Sequence, residues 1–273
     1  MLIFLDLDGT FFVTFTPVSN LAKQAAAALR KKGHKLILCT GRSAGELPPE
    51  IKAMPWDGAV LSAGAYAQAE GKTLYEKGIP AETVRKTFEL FEKHNVPCVL
   101  ETQNEVLGKA YSLEYCREFF YGMQEKHGVS RSERNDLIEI MRECDRPWEE
   151  TPARKILYYD SPITIPEVLA EIGGGAEIVP SAISDRSRET GEISPEGVDK
   201  SVGVRLISEY FGASKEDIIA IGDSVNDIPM LECAGLKIVM GNASDDVKAL
   251  ADHVTDTAAN DGFYKAFETL GMI

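Results

Sequence analysis

The chain has 273 residues, 44% of them hydrophobic, which suffices for one large or two modest globular domains and argues against a disordered protein. The 43 acidic residues outnumber the 29 basic ones, for a formal charge of −14, and no run of lysine and arginine could follow a phosphate backbone. We therefore expect no nucleic-acid partner.

The cysteines and apolar segments predict a cytoplasmic protein. The five cysteines include no C-x-x-C pair, and an odd number cannot be fully bridged within one chain, so reduced thiols are expected. The apolar start of the chain lacks a basic region and breaks at Asp6, which is unlike a signal peptide. No segment approaches the uninterrupted apolar length of about 20 residues that crosses a bilayer, so no membrane partner is expected.

Short apolar runs and a helical pattern alternate from the N-terminus. Ser19 or Asn20 can cap a helix over residues 21–32, and Gly33 can end that helix in a left-handed conformation. Apolar runs that flank this helix predict strands over residues 2–5 and 35–39.

The middle of the chain has longer amphipathic patterns and more aromatic residues. Val84, Phe88 and Phe91 form one helical face, and strands are predicted over residues 96–101 and 154–159. About a hundred residues can hold a core of their own. We predict an inserted α+β domain at residues 81–185 and a core domain at residues 1–80 and 186–273, with an elaborated single domain as the alternative.

Strand and helix patterns alternate again toward the C-terminus. Val198, Val202 and Ile207 recur at helical spacing, which places Lys200 near the start of a helix. Alternating strands and helices predict an α/β fold with a Rossmann-like, doubly wound parallel sheet. The predicted strands are residues 217–221, 237–240 and 253–255, and the predicted helical segments are residues 226–233 and 244–250.

Two carboxylates, Asp6 and Asp8, follow the first predicted strand. Strand alternation turns them toward the same side, beyond the carboxyl end of a strand, which is where open parallel sheets bind ligands. Gly9 allows the chain to turn sharply there. An Asx-type turn without any chemical role is the alternative.

A second acidic pair, Asp223 and Asp227, follows a later strand. Four carboxylates in one crevice would repel each other unless a cation joined them. Oxygen ligands without nearby histidine or cysteine favour Mg²⁺ over zinc. Asp227 can alternatively cap the next helix.

Thr40, Gly41 and Arg42 end the second predicted strand, where a hydroxyl, backbone N–H groups and a guanidinium can meet phosphate oxygens. Lys200 can offset the carboxylates and the charge of a transferring phosphoryl group. Each of these features is common when it occurs alone, so only their combination predicts a phosphate site.

The combined pattern resembles the haloacid dehalogenase superfamily. Asp-x-Asp-Gly-Thr, Thr-Gly-Arg, a lysine near a helix start and Gly-Asp-x-x-x-Asp occur in this order. The segments over residues 222–231 and 240–243 are similar to those of the Cof-type sugar phosphatase branch. The resemblance covers both ends of the chain.

The resemblance implies the roles of the polar residues. Asp6 would be the nucleophile that attacks phosphorus, and Asp8 the general acid and then the general base. Thr40 and Lys200 would hold the phosphoryl oxygens. The further expected substrate contacts are Gly41, Arg42 and Asn226.

The resemblance also implies a metal site. Mg²⁺ would be bound by Asp6, Asp223 and the backbone carbonyl of Asp8, while Asp227 would hold a metal-bound water or orient Lys200. Because phosphoryl transfer needs mainly positioning and charge stabilisation, this small set is sufficient.

The interval between Arg42 and Lys200 is long, whereas the one between Thr10 and the first helix is short. The resemblance therefore implies a cap domain at the second insertion position. Such a cap is of type C2 and, more narrowly, of type C2B. In the family, such a cap excludes water and contacts the substrate.

We predict a Mg²⁺-dependent phosphatase, monomeric or homodimeric, that acts on a small phosphate ester such as a sugar phosphate through an aspartyl-phosphate on Asp6. A phosphomutase on the same scaffold and a non-catalytic regulatory or binding protein that retains the fold are the alternatives. No G-x-G-x-x-G follows the first strand, which argues against a dinucleotide-dependent enzyme.

Overall fold

The computed structural model describes residues 1–133, 135–180 and 189–273. Its strands are β1 (Leu2–Leu5), β2 (Lys35–Cys39), β3 (Gly58–Leu61), β4 (Tyr66–Ala69), β5 (Lys72–Glu76), β6 (Cys98–Glu101), β7 (Val106–Gly108), β8 (Met141–Glu143), β9 (Lys155–Ser161), β10 (Ala176–Pro180), β11 (Glu189–Pro195), β12 (Ile218–Gly222), β13 (Leu236–Val239) and β14 (His253–Val254). Its helices are α1 (Asn20–Lys31), α2 (Pro49–Lys52), α3 (Ala81–Lys93), α4 (Ala110–Lys126), α5 (Asp136–Glu139), α6 (Ile165–Ile172), α7 (Lys200–Phe211), α8 (Ile228–Glu232), α9 (Asp245–Lys248) and α10 (Gly262–Thr269).

The chain divides into two compact units. The first consists of Met1–Gly41, Pro49–Glu76 and Asp199–Ile273, and the second of Arg42–Pro48 and Lys77–Val198. The second unit continues through β11, because β11 pairs with both β9 and β10. The insertion at residues 81–185 stays a prediction. The boundary that we predicted after residue 185 lies outside the described residues.

The first unit is built on an eight-stranded sheet in the order β14-β13-β12-β1-β2-β3-β4-β5. The strands from β14 to β3 run parallel, and β4 and β5 add an antiparallel edge. All four residues of β1 are buried, as expected for a central strand that is covered on both faces. The predicted α/β fold is confirmed, with the antiparallel edge as an addition.

Helix boundaries in the first unit follow local hydrogen bonding. Ser19 caps α1 by accepting a hydrogen bond from the backbone of Ala22, and Gly33 follows the helix with a φ of 85°. Asp199 caps α7 by accepting a hydrogen bond from the backbone of Ser201 at 2.8 Å. This cap makes Lys200 the first residue of α7, as its position in the sequence predicts.

The second unit contains a six-stranded sheet in the order β10-β11-β9-β6-β7-β8, antiparallel except between β7 and β8. Phe88 and Phe91 of α3 pack on one face with Leu100 and Ile156. On the other face, α4 contributes to a smaller apolar cluster that includes Tyr159. Across the described ranges, no helix has the length and apolar character required to span a bilayer.

Candidate active site

The acidic residues of the first unit meet where neighbouring parallel strands end. Asp6 follows β1, and its backbone N–H donates to the carbonyl of Ile221 in β12 at 3.0 Å. Asp223 follows β12 directly, so the adjacent pairing of the two strands brings both carboxylates to the same end of the sheet. A ligand-binding crevice forms at this end in open α/β sheets.

Three of these carboxylates lie close enough to share a cation. One oxygen from each of Asp6, Asp223 and Asp227 lies within 4.8 Å of the others. The ammonium of Lys200, which is 1% exposed, donates to Asp6 Oδ1 at 2.7 Å and to Asp227 Oδ1 at 2.5 Å. We call these four residues the Asp6 cluster.

Burial dominates the electrostatics of the Asp6 cluster. Burial first, and then repulsion from Asp227, raise the pKa of Asp6 well above its usual value, while Lys200 opposes the rise. The same two causes raise the pKa of Asp223 to about 6. Burial alone would lower the pKa of Lys200, but Asp227 and Asp6 outweigh it and raise that pKa. The excess of negative charge in a buried space favours a bound cation.

Asp227 is held by the protein on both of its oxygens. Oδ1 accepts from Lys200, and Oδ2 accepts from the backbone N–H groups of Asp223 and Ser224 at 3.0 and 2.9 Å. Gly222 permits this arrangement, since a Cβ there would lie 2.6 Å from the carboxyl carbon of Asp227. Of its two predicted roles, this geometry favours the orientation of Lys200.

Asp223 is positioned by two residues that we did not predict as site residues. Thr10 donates to Asp223 Oδ1 at 3.0 Å, and Asn242 donates to Oδ2 at 2.9 Å and to the carbonyl of Gly9 at 3.0 Å. Gly9 has a φ of 77°, and a Cβ there would overlap Asp223. Both residues lie in motifs that carry the family resemblance, which is the signal that could have identified them.

Asp8 lies outside the group of three carboxylates. Its Oδ1 accepts a hydrogen bond from Thr14 at 2.8 Å. This hydrogen bond restrains the orientation of the Asp8 carboxyl group. No pattern in the sequence points to Thr14, because its contact with Asp8 depends on how the loop after Asp8 folds back.

Of the other predicted residues, Asn226 lies beside Lys200, and Thr40, Gly41 and Arg42 follow β2, the strand next to β1. Asn226 Oδ1 lies 3.4 Å from Lys200 Nζ. Thr40 is buried at the end of β2, and its backbone carbonyl accepts a hydrogen bond from Ala63, whose φ is 54°. Gly41 ends its segment of the first unit, whereas Arg42 belongs to the second unit and donates to the carbonyl of Glu46 at 3.0 Å.

The donor set fits a hard divalent cation. Asp6, Asp223 and Asp227 all offer carboxylate oxygens. Mg²⁺ prefers oxygen ligands and is usually held by one or two carboxylates together with water and phosphate oxygens. In the part of the chain that the structure describes, no other group of acidic, histidine or cysteine side chains has this spacing.

Comparison with known proteins gives a family match over nearly the whole chain. The family model of haloacid dehalogenase-like hydrolases matches residues 3–267. The chain is 27% identical over 266 residues to the 5-amino-6-(5-phospho-D-ribitylamino)uracil phosphatase YitU of Bacillus subtilis, covering 96% of this chain and 94% of that one.

A solved structure described as the HAD subclass IIB sugar phosphatase BT4131 superposes with a TM-score of 0.80 at 25% identity, covering 100% of this chain and 99% of that one. The chain is also 26% identical to the chloroplastic endoribonuclease YBEY of Arabidopsis thaliana, over 95% of this chain, but it spans only 44% of that protein.

Proposed function

The chain belongs to the haloacid dehalogenase-like hydrolases, and from that premise we propose that it is a Mg²⁺-dependent phosphatase for a small phosphorylated metabolite. The observation that carries the proposal is the buried contact of Lys200 with both Asp6 and Asp227, beside Asp223. A nucleophile, a cation site and a fixed ammonium are the parts that phosphoryl transfer requires.

The residues of the first unit would act in two steps. A carboxylate oxygen of Asp6 attacks phosphorus, the ester P–O bond breaks, and Asp8 gives its proton to the leaving oxygen. Water then attacks the phosphorus of phosphorylated Asp6 and gives a proton to Asp8, and the bond between Asp6 and phosphorus breaks to release inorganic phosphate. Thr40 and Lys200 would hold the phosphoryl oxygens in both steps.

The metal would support the same steps. Asp6, Asp223 and the backbone carbonyl of Asp8 would hold Mg²⁺, which supplies positive charge for the phosphoryl oxygens when bound. Asp227 would keep Lys200 in place. Gly41, Arg42 and Asn226 remain proposed substrate contacts, and residues 81–185 remain a proposed C2-type cap.

Two comparisons support a sugar or sugar-alcohol phosphate as the substrate class. One relative is named as a phosphatase of a ribityl phosphate, and one solved structure is described as a sugar phosphatase. The cytoplasmic location and the monomeric or homodimeric state stay predictions.

The test is hydrolysis of p-nitrophenyl phosphate and of a panel of sugar phosphates by the purified protein with Mg²⁺. We expect release of inorganic phosphate without a bisphosphate activator, which a phosphomutase would require.

Asp6→Asn should lower kcat by about 10³-fold or more, because it removes the nucleophile. Asp246→Asn, which makes the same chemical change on an exposed residue of α9, should leave kcat unchanged. Unchanged activity in Asp6→Asn would exclude the proposed nucleophile.

A further inference from the structure

The turn that follows β3 holds two residues in a backbone conformation that their side chains disfavour. Ser62 and Ala63 have φ values of 49° and 54°, and Gly64 follows with a φ of 109°. Only glycine adopts such left-handed conformations without a steric cost, and asparagine or aspartate can offset that cost with a local hydrogen bond. We call these three residues the β3 turn.

The side chains of the β3 turn do not account for its conformation. Ser62 is 3% exposed, yet its hydroxyl has no hydrogen-bond partner in the part of the chain that the structure describes. Ala63 has no polar group in its side chain. Strained backbone persists only where the surrounding structure imposes it, and such residues are frequent at functional sites. The cause of the strain therefore lies in the contacts of the turn with its neighbours.

One neighbour of the β3 turn is Thr40, which follows β2 beside β3. The backbone N–H of Thr40 donates to the carbonyl of Val60 at 2.9 Å, and the backbone N–H of Ala63 donates to the carbonyl of Thr40 at 3.1 Å. Both backbone hydrogen-bonding groups of Thr40 are thus bound by β3 or by its turn. The position of Thr40 therefore follows that of the turn.

The other neighbour of the β3 turn is the start of α7, which carries Lys200. A Cβ at Gly64 would overlap the backbone carbonyl of Asp199 and would lie 3.2 Å from the backbone nitrogen of Lys200, so only glycine permits this approach. Three residues further along α7, a Cβ at Gly203 would lie 2.5 Å from both methyl carbons of Val60 in β3. Two glycines, one on each element, therefore seat α7 against β3 and its turn.

Thr40 and Lys200 are the residues to which the proposed function assigns the phosphoryl oxygens. They lie on different elements, β2 and α7, and the β3 turn contacts the backbone at both places. Their separation must match the size of one phosphoryl group, since a displacement of about 1 Å can lower a rate by about 100-fold. A single short segment is thus in a position to set this separation.

We propose that the β3 turn is a positioning segment, which sets the distance between Thr40 and Lys200 so that both reach the oxygens of one phosphoryl group. The inference rests on the proposed phosphatase function. The turn takes no part in the chemistry and acts only through Thr40 and the start of α7. Its strain persists because a relaxed turn would lose one of these two contacts.

Gly64→Ala tests the contact of the turn with α7. The added methyl group must displace the backbone of Asp199, so we expect kcat/KM for p-nitrophenyl phosphate to fall by about 10- to 100-fold. We expect the Ki of inorganic phosphate, the proposed product, to rise by about tenfold or more for the same reason.

Gly71→Ala is the matched control for Gly64→Ala. Gly71 also has a positive φ, 79°, but no described atom lies within 4 Å of a Cβ there. The control should therefore share the loss of stability that alanine causes at a positive φ, and it should keep kcat/KM within about twofold of the unaltered protein.

Gly203→Ala tests the same inference without backbone strain, and it decides the question if Gly64→Ala does not fold. Alanine favours a helix more than glycine does, so a loss of phosphate affinity would come from the displacement of α7 away from Val60. We expect the same fall in kcat/KM and the same rise in Ki. Gly122→Ala changes a helical glycine of α4 where a Cβ meets no described atom within 4 Å, and it should alter neither value.

The outcomes separate this inference from the proposed function. All constants are measured well below the Tm of each variant, where loss of stability alone does not change them. Unchanged kcat/KM and Ki in Gly64→Ala and Gly203→Ala, with an active unaltered protein, would overturn only the positioning role. Equal losses in Gly71→Ala would also overturn it. If the unaltered protein neither hydrolyses an ester nor binds phosphate, the phosphatase function fails and this inference fails with it.

Discussion

The Asp6 cluster and the Glu101 cluster, which comprises Glu101, Lys155 and Glu192 of the second unit, each place a buried lysine between carboxylates. The two differ in how completely the protein satisfies their oxygen atoms with hydrogen bonds. In the first, the oxygens of Asp223 and Asp227 accept hydrogen bonds from side chains or backbone N–H groups. In the second, both oxygens of Glu101 lack such donors among the described residues. A site whose acceptors are already held in place suits chemistry, because it needs little reorganisation during the reaction.

Removal of the lysine should be most costly in the Asp6 cluster. Lys200→Met leaves Asp6 and Asp227 buried without their cation, so we expect a loss of about 3 to 5 kcal/mol in the free energy of unfolding. Urea unfolding of the purified variant, without added metal, measures the loss.

The matched change in the Glu101 cluster should cost less. Lys155→Met leaves one fully buried carboxylate, because the side chain of Glu192 is 33% exposed, and we expect a loss of about 1 to 3 kcal/mol. A larger loss for Lys155→Met than for Lys200→Met in the same urea experiment would contradict the comparison.

Mg²⁺ should distinguish the two clusters through its effect on Tm, which we expect to be smaller than the effects of the lysine variants and to depend on pH. The pKa of Asp223 is raised to about 6, so between about pH 4 and pH 6 the folded state holds a proton that the unfolded state has released. The contribution of Asp223 to the stability of the metal-free protein therefore falls as pH rises through this window. Mg²⁺ binds the deprotonated carboxylates. We therefore expect saturating Mg²⁺ to raise Tm by several degrees more at pH 7 than at pH 5.

Two variants identify which cluster is responsible for the metal effect. Asp223→Asn should abolish the rise in Tm with Mg²⁺, whereas Glu101→Gln should leave it unchanged, since the described residues around Glu101 include no metal-spaced group. Equal rises in Tm at pH 5 and pH 7 would count against a metal site at Asp223.

The core fold could be predicted from the sequence because its signals are local. Two short apolar strands are followed at once by the acidic residues of a motif, β1 by Asp6 and β12 by Asp223. The resemblance to the haloacid dehalogenase superfamily and the α/β fold are confirmed. The roles of individual site residues stay predictions.

The Glu101 cluster could not be predicted because its members meet only through long-range pairing. Glu101 and Lys155 are neighbours because β6 pairs with β9, and Glu192 joins them because β11 pairs with β9 on its other side. A single glutamate at a strand end carries no pattern. The attachment of residues 42–48 to the second unit was also missed, because close approach at Gly45 leaves no periodic signal.

The most direct test of covalent catalysis by Asp6 uses the Asp8→Asn variant with p-nitrophenyl phosphate and Mg²⁺. Nitrophenolate leaves without protonation, so the variant can still form phosphorylated Asp6 but lacks the base that hydrolyses it. We expect a burst of about one equivalent of nitrophenolate and, after acid quench, a phosphorylated peptide that contains Asp6. Steady release without a burst, or phosphate on any other residue, would contradict the account.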